Sequence, residues 1–477
     1  MQLLPATTRP HPSLWHLTPA RRGALIQVGL VLLGALVAAV AGMTVAKGHS
    51  LLLVAPLLAA ALFILLARTQ QAPYLLVVAG ASTFSSTYAL PQTGHLYPAE
   101  AMALLGVAVI VFSRYASFGG GMGALLVVLL ATVGMGVKVG HGNGVPTLLA
   151  IDAARPMFLY LTFWLALAGL RANPQRFFKC FAGVVVFIVL LQLAQFALPG
   201  HRILKSAGET FVSSEGGFTR VRPPGLILVY FALIFAVAYI IWGPRHRRRL
   251  AVAFAACSGL GVILSLNRNM ILGAIFGILA ALLFTRGRGR AFAFLGTTAI
   301  VVTVVLVFLG SSGAVANRIL SIGNPSGLQK TTLSDREYEN RLAVPVIERH
   351  LAFGIGWGAN YGAQIAQAGT GSLSPRSFIH NQYYGLLLRT GIVGLLAYLG
   401  LLGATALGAI RWTRRRREFD DGWLGPALLA SVVGFAASAI VGIYVIDAGS
   451  APGAGALFAL GAFLREHLAQ ERQQIVR

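Results

Sequence analysis

Long apolar runs restrict the folds open to this sequence more than any other feature. Crossing the hydrocarbon core of a bilayer takes about 20 residues at a helical rise. The chain repeatedly supplies runs near that length between short polar or Gly- and Pro-rich breaks. Of all residues 56% are hydrophobic and only 11% are charged, and the mean hydropathy is +0.75. Such a composition excludes a soluble globular domain and predicts a polytopic membrane protein.

Fourteen apolar runs are candidate spans, of which the fourth and the tenth are short. They lie at 24–46, 50–67, 73–90, 98–112, 121–137, 145–170, 178–198, 225–242, 250–266, 270–285, 291–310, 381–410, 424–445 and 451–464. The expected fold class is therefore an all-α polytopic membrane protein with 12–14 transmembrane helices and a long outer loop that contains helices.

Basic residues assign the orientation, because short cytoplasmic loops retain Lys and Arg during insertion. An N-terminus inside places the basic clusters at 244–249, 285–290 and 411–417 in the cytoplasm. The formal charge of +24 would also suit nucleic acid. Each cluster, however, stands at the end of a span, where topology alone requires positive charge. The expected partner is the lipid bilayer, and we expect no nucleic-acid partner.

The expected organisation follows from this topology. A cytoplasmic tail at 1–23 precedes N-terminal spans at 24–198, a first outer loop at 199–224, central spans at 225–310, a long outer loop at 311–380, C-terminal spans at 381–464 and a cytoplasmic tail at 465–477. The run after the first tail exceeds a signal-peptide core, so we expect it to be retained as a span. Cys180 and Cys257 fall at or within spans and provide no disulfide framework.

Polar chemistry is concentrated where the long loop meets the twelfth apolar run. His380 and Asn381 stand at this mouth of the span. A histidine side chain titrates near neutral pH, so it can accept a proton from an attacking hydroxyl or orient that hydroxyl. The alternative is an interfacial histidine that only caps the helix or bonds a neighbouring loop. We place the candidate active site at His380.

The outer loops supply arginines near the same membrane mouth. Arg220 and Arg222 stand directly before the eighth span, and Arg268 lies in a very tight turn between two asparagines. Arg336 belongs to a charged segment at 334–351 that predicts an amphipathic helix at the interface. Guanidinium groups bind phosphate oxygens bidentately and keep their charge, so this set suits a lipid-linked pyrophosphate. Snorkelling of the arginines to lipid phosphates is the alternative.

The order of these motifs resembles the O-antigen ligase and O-antigen polymerase superfamily of bacterial inner membranes. The resemblance covers residues 200–405. The residues that carry it are Arg220, Arg222, Arg268, Arg336, the glycine string at 354–358, His380, Asn381, and Arg389 in the segment 388–394. The chain differs at Asn267, where the family more usually has Ser, and at Leu351, where it commonly has Pro. Neither difference removes a charged group.

The resemblance implies a GT-C-like, metal-independent, inverting glycosyltransferase that uses no cofactor. Such an enzyme takes a glycan from undecaprenyl pyrophosphate on the periplasmic face of the inner membrane. By analogy, His380 would engage the acceptor hydroxyl, and Arg220, Arg222 and Arg268 would hold the pyrophosphate. Arg336, Asn381 and Arg389 are further candidates for the site, and no metal ligands are implied.

Two functional alternatives remain open from the sequence. Within the enzyme class, a ligase uses lipid A-core as glycan acceptor and a polymerase uses another lipid-linked repeat, and the motifs do not separate them. From a different class, a flippase for lipid-linked oligosaccharides or another transporter also has many spans. A transporter calls for charges at mid-membrane and a repeat between its halves. The sequence shows no internal repeat, and its polar groups lie in the outer loops.

Overall fold

The computed structural model describes residues 103–104, 107, 115–197, 212–215, 218–223, 225–265, 267–284, 328–362, 365–366, 373–374, 379–416, 419–440, 442, 445 and 449–476. Its α-helices are α1 Gly120–Gly142, α2 Thr147–Phe158, α3 Thr162–Ala172, α4 Pro174–Ala197, α5 Leu226–Trp242, α6 Arg248–Leu264, α7 Arg268–Phe284, α8 Leu328–Arg349, α9 Gln382–Arg415, α10 Leu424–Ser438 and α11 Ala451–Val476. Short 3₁₀ turns at Leu159–Leu161 and Arg245–Arg247 precede α3 and α6.

The predicted class of an all-α polytopic membrane protein is confirmed by the length and composition of these helices. Among the described residues, four apolar helical segments are long enough to cross a bilayer, namely α1, α4, α9 and the continuous helical stretch Thr147–Ala172 formed by α2, its 3₁₀ turn and α3. Shorter apolar helices lie at Leu226–Trp242, Asn269–Leu283 and Leu424–Ser438. The predicted spans at 24–46, 50–67, 73–90 and 291–310, and most of 98–112, lie outside the described residues.

The centre of the described bundle is built on α5, α7 and α10. Most residues of α5 are buried, which fits a helix that is apolar all round. Helix α7 packs along α10, and Gly273 and Gly277 face it so closely that any side chain there would collide with α10. Small residues spaced by four let two helix backbones approach in a membrane. This pair of glycines therefore sets the separation of α7 and α10.

The described helix ends fall into two groups at opposite ends of the bundle. At one end the backbone N–H of Gln382 donates to the carbonyl of Ala439 at 3.1 Å, and the hydroxyl of Ser438 donates to the carbonyl of Asn269 at 2.9 Å. At the other end Arg416, which belongs to the predicted cytoplasmic cluster at 411–417, pairs with Glu471 at 2.8 Å. The helix ends predicted to face the periplasm thus share one end of the molecule.

The structure differs from the predicted organisation in three places. Helix α10 ends at Ser438, before the predicted end of that span at 445, whereas α11 continues through most of the predicted tail to Val476. The outer loops also contain two short antiparallel hairpins. They are formed by β1 Val212–Glu215 with β2 Phe218–Val221, and by β3 Ile365–Ala366 with β4 Leu373–Ser374.

Candidate active site

The head of helix α9 carries the predicted His-Asn pair. Asn381 is the N-cap, and its side-chain oxygen accepts hydrogen bonds from the backbone N–H groups of Tyr383 at 3.1 Å and Tyr384 at 3.3 Å. An asparagine cap satisfies donors that the first helical turn leaves unpaired. The side chain of Asn381 thus serves its own helix, and His380 is held immediately before the cap.

His380 is bound by the carboxylate of Glu339 on helix α8. Its backbone N–H donates to Oε2 of Glu339 at 3.1 Å, and its ring Nδ1 lies 2.9 Å from the same oxygen and 3.1 Å from Oε1. The imidazole is 34% exposed and the Glu339 side chain 19% exposed. One carboxylate therefore contacts both the backbone and the ring of the histidine, while the ring stays partly accessible.

Apolar packing brings Glu339 and His380 together. Ala343 and Ile347 follow Glu339 on the same face of α8 at a spacing of four, and both are buried. They belong to a cluster with Ile379, the residue directly before His380, and with Leu388 on α9. This cluster fixes α8 across the first turns of α9, so that the carboxylate one turn earlier reaches the histidine.

Arg336 lies three residues before Glu339 on α8 and is half-buried. Residues three apart on a helix are neighbours on one face. The predicted site arginine of the long loop thus stands on the face of α8 that carries the histidine's carboxylate partner. By contrast, Glu337 and Arg341 pair with each other on the exposed side of the helix.

The other predicted arginines lie at the same end of the bundle. Arg220 is in strand β2, in register with Ser213 of β1, and Arg222 directly follows this strand and is exposed. Arg268 is the first residue of α7. The side chains of Arg220 and Arg268 lie outside the described part of the structure.

Backbone contacts connect these segments to the head of α9. The side-chain amide of Gln192 on α4 donates to the carbonyls of Val221 at 2.8 Å and Gly261 at 2.9 Å, which ties β2 to α6. Helix α6 leads directly into the turn before Arg268. The first turn of α7 is held to the end of α10, because the hydroxyl of Ser438 donates to the carbonyl of Asn269, and Ala439, the C-cap of α10, accepts the bond from Gln382. The segments that carry Arg222, Arg268 and His380 are therefore linked through neighbouring helix ends.

The glycine string forms a loop that is inserted between α1 and α9. Gly354, Gly356 and Gly358 all have positive φ, of 70°, 84° and 78°. The N–H of Ile355 donates to the carbonyl of Leu388 at 2.7 Å, and the N–H of Trp357 donates to the carbonyl of Gly136 at 3.0 Å. Irregular backbone at membrane depth requires such internal partners. We refer to residues 350–359 as the inserted loop.

Arg389 serves this inserted loop. The side chain is 3% exposed, and its Nη1 donates to the carbonyls of Gly356 at 2.8 Å and Ala359 at 2.7 Å. Buried carbonyl oxygens need hydrogen-bond donors because water cannot reach them, and the guanidinium group supplies both bonds here. The structure therefore uses Arg389, a further site candidate from the sequence, to hold the loop beside α9.

The sequence singles out His380 and Asn381 as site candidates, but it does not single out Glu339. The charged segment at 334–351 predicts an amphipathic helix, and this pattern alone does not separate Glu339 from the exposed Glu337–Arg341 pair. The helical spacing of Glu339, Ala343 and Ile347 is the signal that would have placed this glutamate on the buried face.

Comparison with known proteins agrees with the motif order. Residues 253–399 match the family model described as O-antigen ligase. The matched segment includes Arg268, Arg336, Glu339, His380 and Arg389. No curated protein matches the chain. The resemblance predicted from the motifs is confirmed over this segment, which is similar to the O-antigen ligase family.

Proposed function

We propose that this protein is a glycosyltransferase that moves a glycan from undecaprenyl pyrophosphate to a sugar hydroxyl on the periplasmic face of the bacterial inner membrane. The observation that carries the proposal is the contact between His380 and Glu339 at the N-terminus of α9, inside the segment that matches the O-antigen ligase family model. A partly exposed imidazole held by a carboxylate is suited to accept the proton of an attacking hydroxyl. Its position beside a membrane span suits a lipid-linked donor.

The proposed reaction breaks one bond and forms one bond at the anomeric carbon. The acceptor oxygen attacks that carbon with inversion, its proton passes to the ring of His380, and the bond to the pyrophosphate oxygen breaks. Undecaprenyl pyrophosphate leaves with the bonding electrons. We propose that four arginines stabilise the negative charge of the departing pyrophosphate, because a guanidinium fork matches two phosphate oxygens. They are Arg220, Arg222, Arg268 and Arg336. We propose that this charge is neutralised without a divalent metal.

The glycan acceptor distinguishes a ligase from a polymerase. Transfer to lipid A-core would make the protein a ligase, and transfer to another lipid-linked repeat would make it a polymerase. Both use the same donor, the same leaving group and the same proton acceptor. The proposal therefore covers the transfer reaction, and the product assay distinguishes the acceptors.

The test uses the purified full-length protein in lipid vesicles with a labelled undecaprenyl-pyrophosphate-linked glycan. Lipid A-core and unlabelled lipid-linked glycan are supplied as acceptors in separate reactions. We expect a labelled glycan on one acceptor, release of undecaprenyl pyrophosphate, and no loss of rate on adding a chelator. His380→Ala should abolish transfer, and Arg415→Ala in the basic cluster should not. Movement of the donor across the bilayer without a new glycosidic bond would identify a transporter and overturn the proposal.

A further inference from the structure

We propose that Glu339 is a positioning residue that holds His380 in the tautomer needed for proton acceptance. This inference rests on the proposed function of His380 and adds a residue that the motifs do not contain. Its basis is the pair of contacts from one carboxylate, to the backbone N–H of His380 at 3.1 Å and to ring Nδ1 at 2.9 Å.

The hydrogen-bonding capacity of a carboxylate determines the tautomer. An ionised carboxylate only accepts hydrogen bonds, so a neutral imidazole bonded to it through Nδ1 carries its hydrogen on Nδ1. The lone pair is then on Nε2, at the opposite side of the ring. The same division of labour is known where an aspartate orients the histidine of a hydrolase triad. Glu339 thus leaves Nε2 of His380 ready to receive the hydroxyl proton.

The backbone contact makes the arrangement rigid. Because Glu339 also accepts the N–H of His380, the carboxylate cannot swing away without losing two hydrogen bonds. Ile379, which precedes the histidine, is buried in the same cluster as Ala343 on α8. Rotation of the ring about its side-chain bonds is therefore restricted on the side that faces α8, while 34% of the side chain remains exposed.

A purely structural role for Glu339 would predict a different result from a positioning role. If the carboxylate only anchored α8 to α9, its loss would lower stability and alter binding of both substrates. If it positions His380, its loss lowers kcat and leaves KM for donor and acceptor nearly unchanged. We expect Glu339→Ala to lower kcat by about 100-fold, within the range for general acid–base assistance, and Glu339→Asp to restore part of the loss.

The matched control is Glu337→Ala, because Glu337 lies on the same helix but its side chain is 65% exposed and paired with Arg341. It should leave kcat and KM at wild-type values. A folded Glu339→Ala protein with wild-type kcat would overturn the proposal. Equal loss of rate in Glu337→Ala would also overturn it, since the effect would then belong to the helix and not to the carboxylate.

A spectroscopic measurement tests the pairing independently of activity. In protein labelled with ¹⁵N-histidine, the signals of His380 are assigned by their disappearance in His380→Gln. We expect a protonated Nδ1 and an unprotonated Nε2 in the wild type, and loss of this preference in Glu339→Ala. A wild-type ring protonated on Nε2 alone would overturn the proposal, even if Glu339→Ala failed to fold. If the wild type transferred no glycan to either acceptor, the proposed function would fail, and the tautomer would still test the pairing.

Discussion

The guanidinium of Arg389 on α9 donates a hydrogen bond to the carbonyl oxygen of Gly356 at 2.8 Å. The same nitrogen also donates to the carbonyl of Ala359 at 2.7 Å, and the side chain is almost fully buried. This contact joins the inserted loop to α9, the helix that begins two residues after His380. Arg389 therefore stabilises the wall of the site, and a contact with the pyrophosphate is not needed to explain it.

We expect Arg389→Met to lower the thermal stability of the purified protein. The substitution leaves two buried carbonyls without their donor, and each unsatisfied polar group costs about 1–3 kcal/mol. Thermal unfolding in detergent, compared with Arg415→Met on the exposed part of the same helix, measures the effect. Unchanged unfolding together with weaker donor binding would show instead that Arg389 contacts the substrate.

We expect Gly391→Ala to be strongly destabilising. Gly391 interrupts α9 with φ 67°, and a Cβ there would collide with the carbonyl of Ala352 at the start of the inserted loop. Positive φ is unfavourable for alanine, and overpacking costs about 1–3 kcal/mol.

The matched control for Gly391 is Gly403→Ala on the same helix, where an added Cβ meets nothing within 4 Å. That variant should unfold at or slightly above the wild-type temperature. Similar unfolding temperatures for the two variants would show that the interruption at Gly391 is not required by the fold.

The apolar pattern predicted the helices well where polar or helix-breaking residues bound the runs. Helices α1, Gly120–Gly142, and α4, Pro174–Ala197, match the predicted spans at 121–137 and 178–198 to within about five residues at each end. The end of α10 was predicted less well, since apolar residues such as Ala439 and Ile440 continue past Ser438. Apolar composition predicts which segments can enter a membrane, but it does not predict the residue at which the helical hydrogen bonds end.

Local sequence patterns did not predict that the glycine string is inserted between two helices. The glycines predicted a backbone able to turn tightly, but the partner of Trp357 is Gly136, which is distant in the sequence. The pairing of Glu339 with His380 is long-range in the same way, because the two residues are 41 positions apart in the sequence. His380 could thus be proposed from the sequence, whereas its partner Glu339 depends on how α8 packs across α9.

Asp421 gives a pH-dependent contribution to stability at the opposite end of the bundle. Burial raises the pKa of this carboxyl, and the charge of Arg416 only partly opposes the effect. The unfolded chain therefore loses the proton of Asp421 first, at a pH near the usual value of about 3.9. Between that value and the raised folded pKa, stability falls as pH rises.

Asp421→Asn should accordingly raise the unfolding temperature at neutral pH. The difference in unfolding temperature should shrink as the pH is lowered toward the usual pKa of a carboxyl group. Asp421 is then protonated in both the folded and the unfolded wild-type chain. Thermal unfolding as a function of pH measures this, with the exposed Asp420→Asn as control. Destabilisation by Asp421→Asn at neutral pH would mean that attraction to Arg416, 3.9 Å away, outweighs burial.

The proposed orientation predicts which exposed positions an external reagent can reach. In a background with Cys180→Ala and Cys257→Ala, we expect Glu337→Cys to react with a membrane-impermeant maleimide from the periplasm. Arg415→Cys should react only after the inner membrane is opened. Both parent side chains are exposed, so accessibility to the reagent decides the outcome. Labelling in the reverse order would show that the site faces the cytoplasm.

Loss of Arg268 should abolish transfer, because we propose that it holds the departing pyrophosphate at the start of α7. Removing a preorganised donor from a leaving group or oxyanion lowers the rate by about 10²–10³-fold. Arg268→Lys should fail as well, since lysine keeps the charge but loses the planar fork that binds two phosphate oxygens.

Arg220 and Arg222 are neighbours at the end of one strand, so either single alanine variant should be milder than the double variant. Transfer rates at saturating donor, with Arg415→Ala as control, measure these effects. Near wild-type transfer by Arg268→Ala in folded protein would exclude it from the site and leave Arg336, beside Glu339, as the principal candidate for the leaving group.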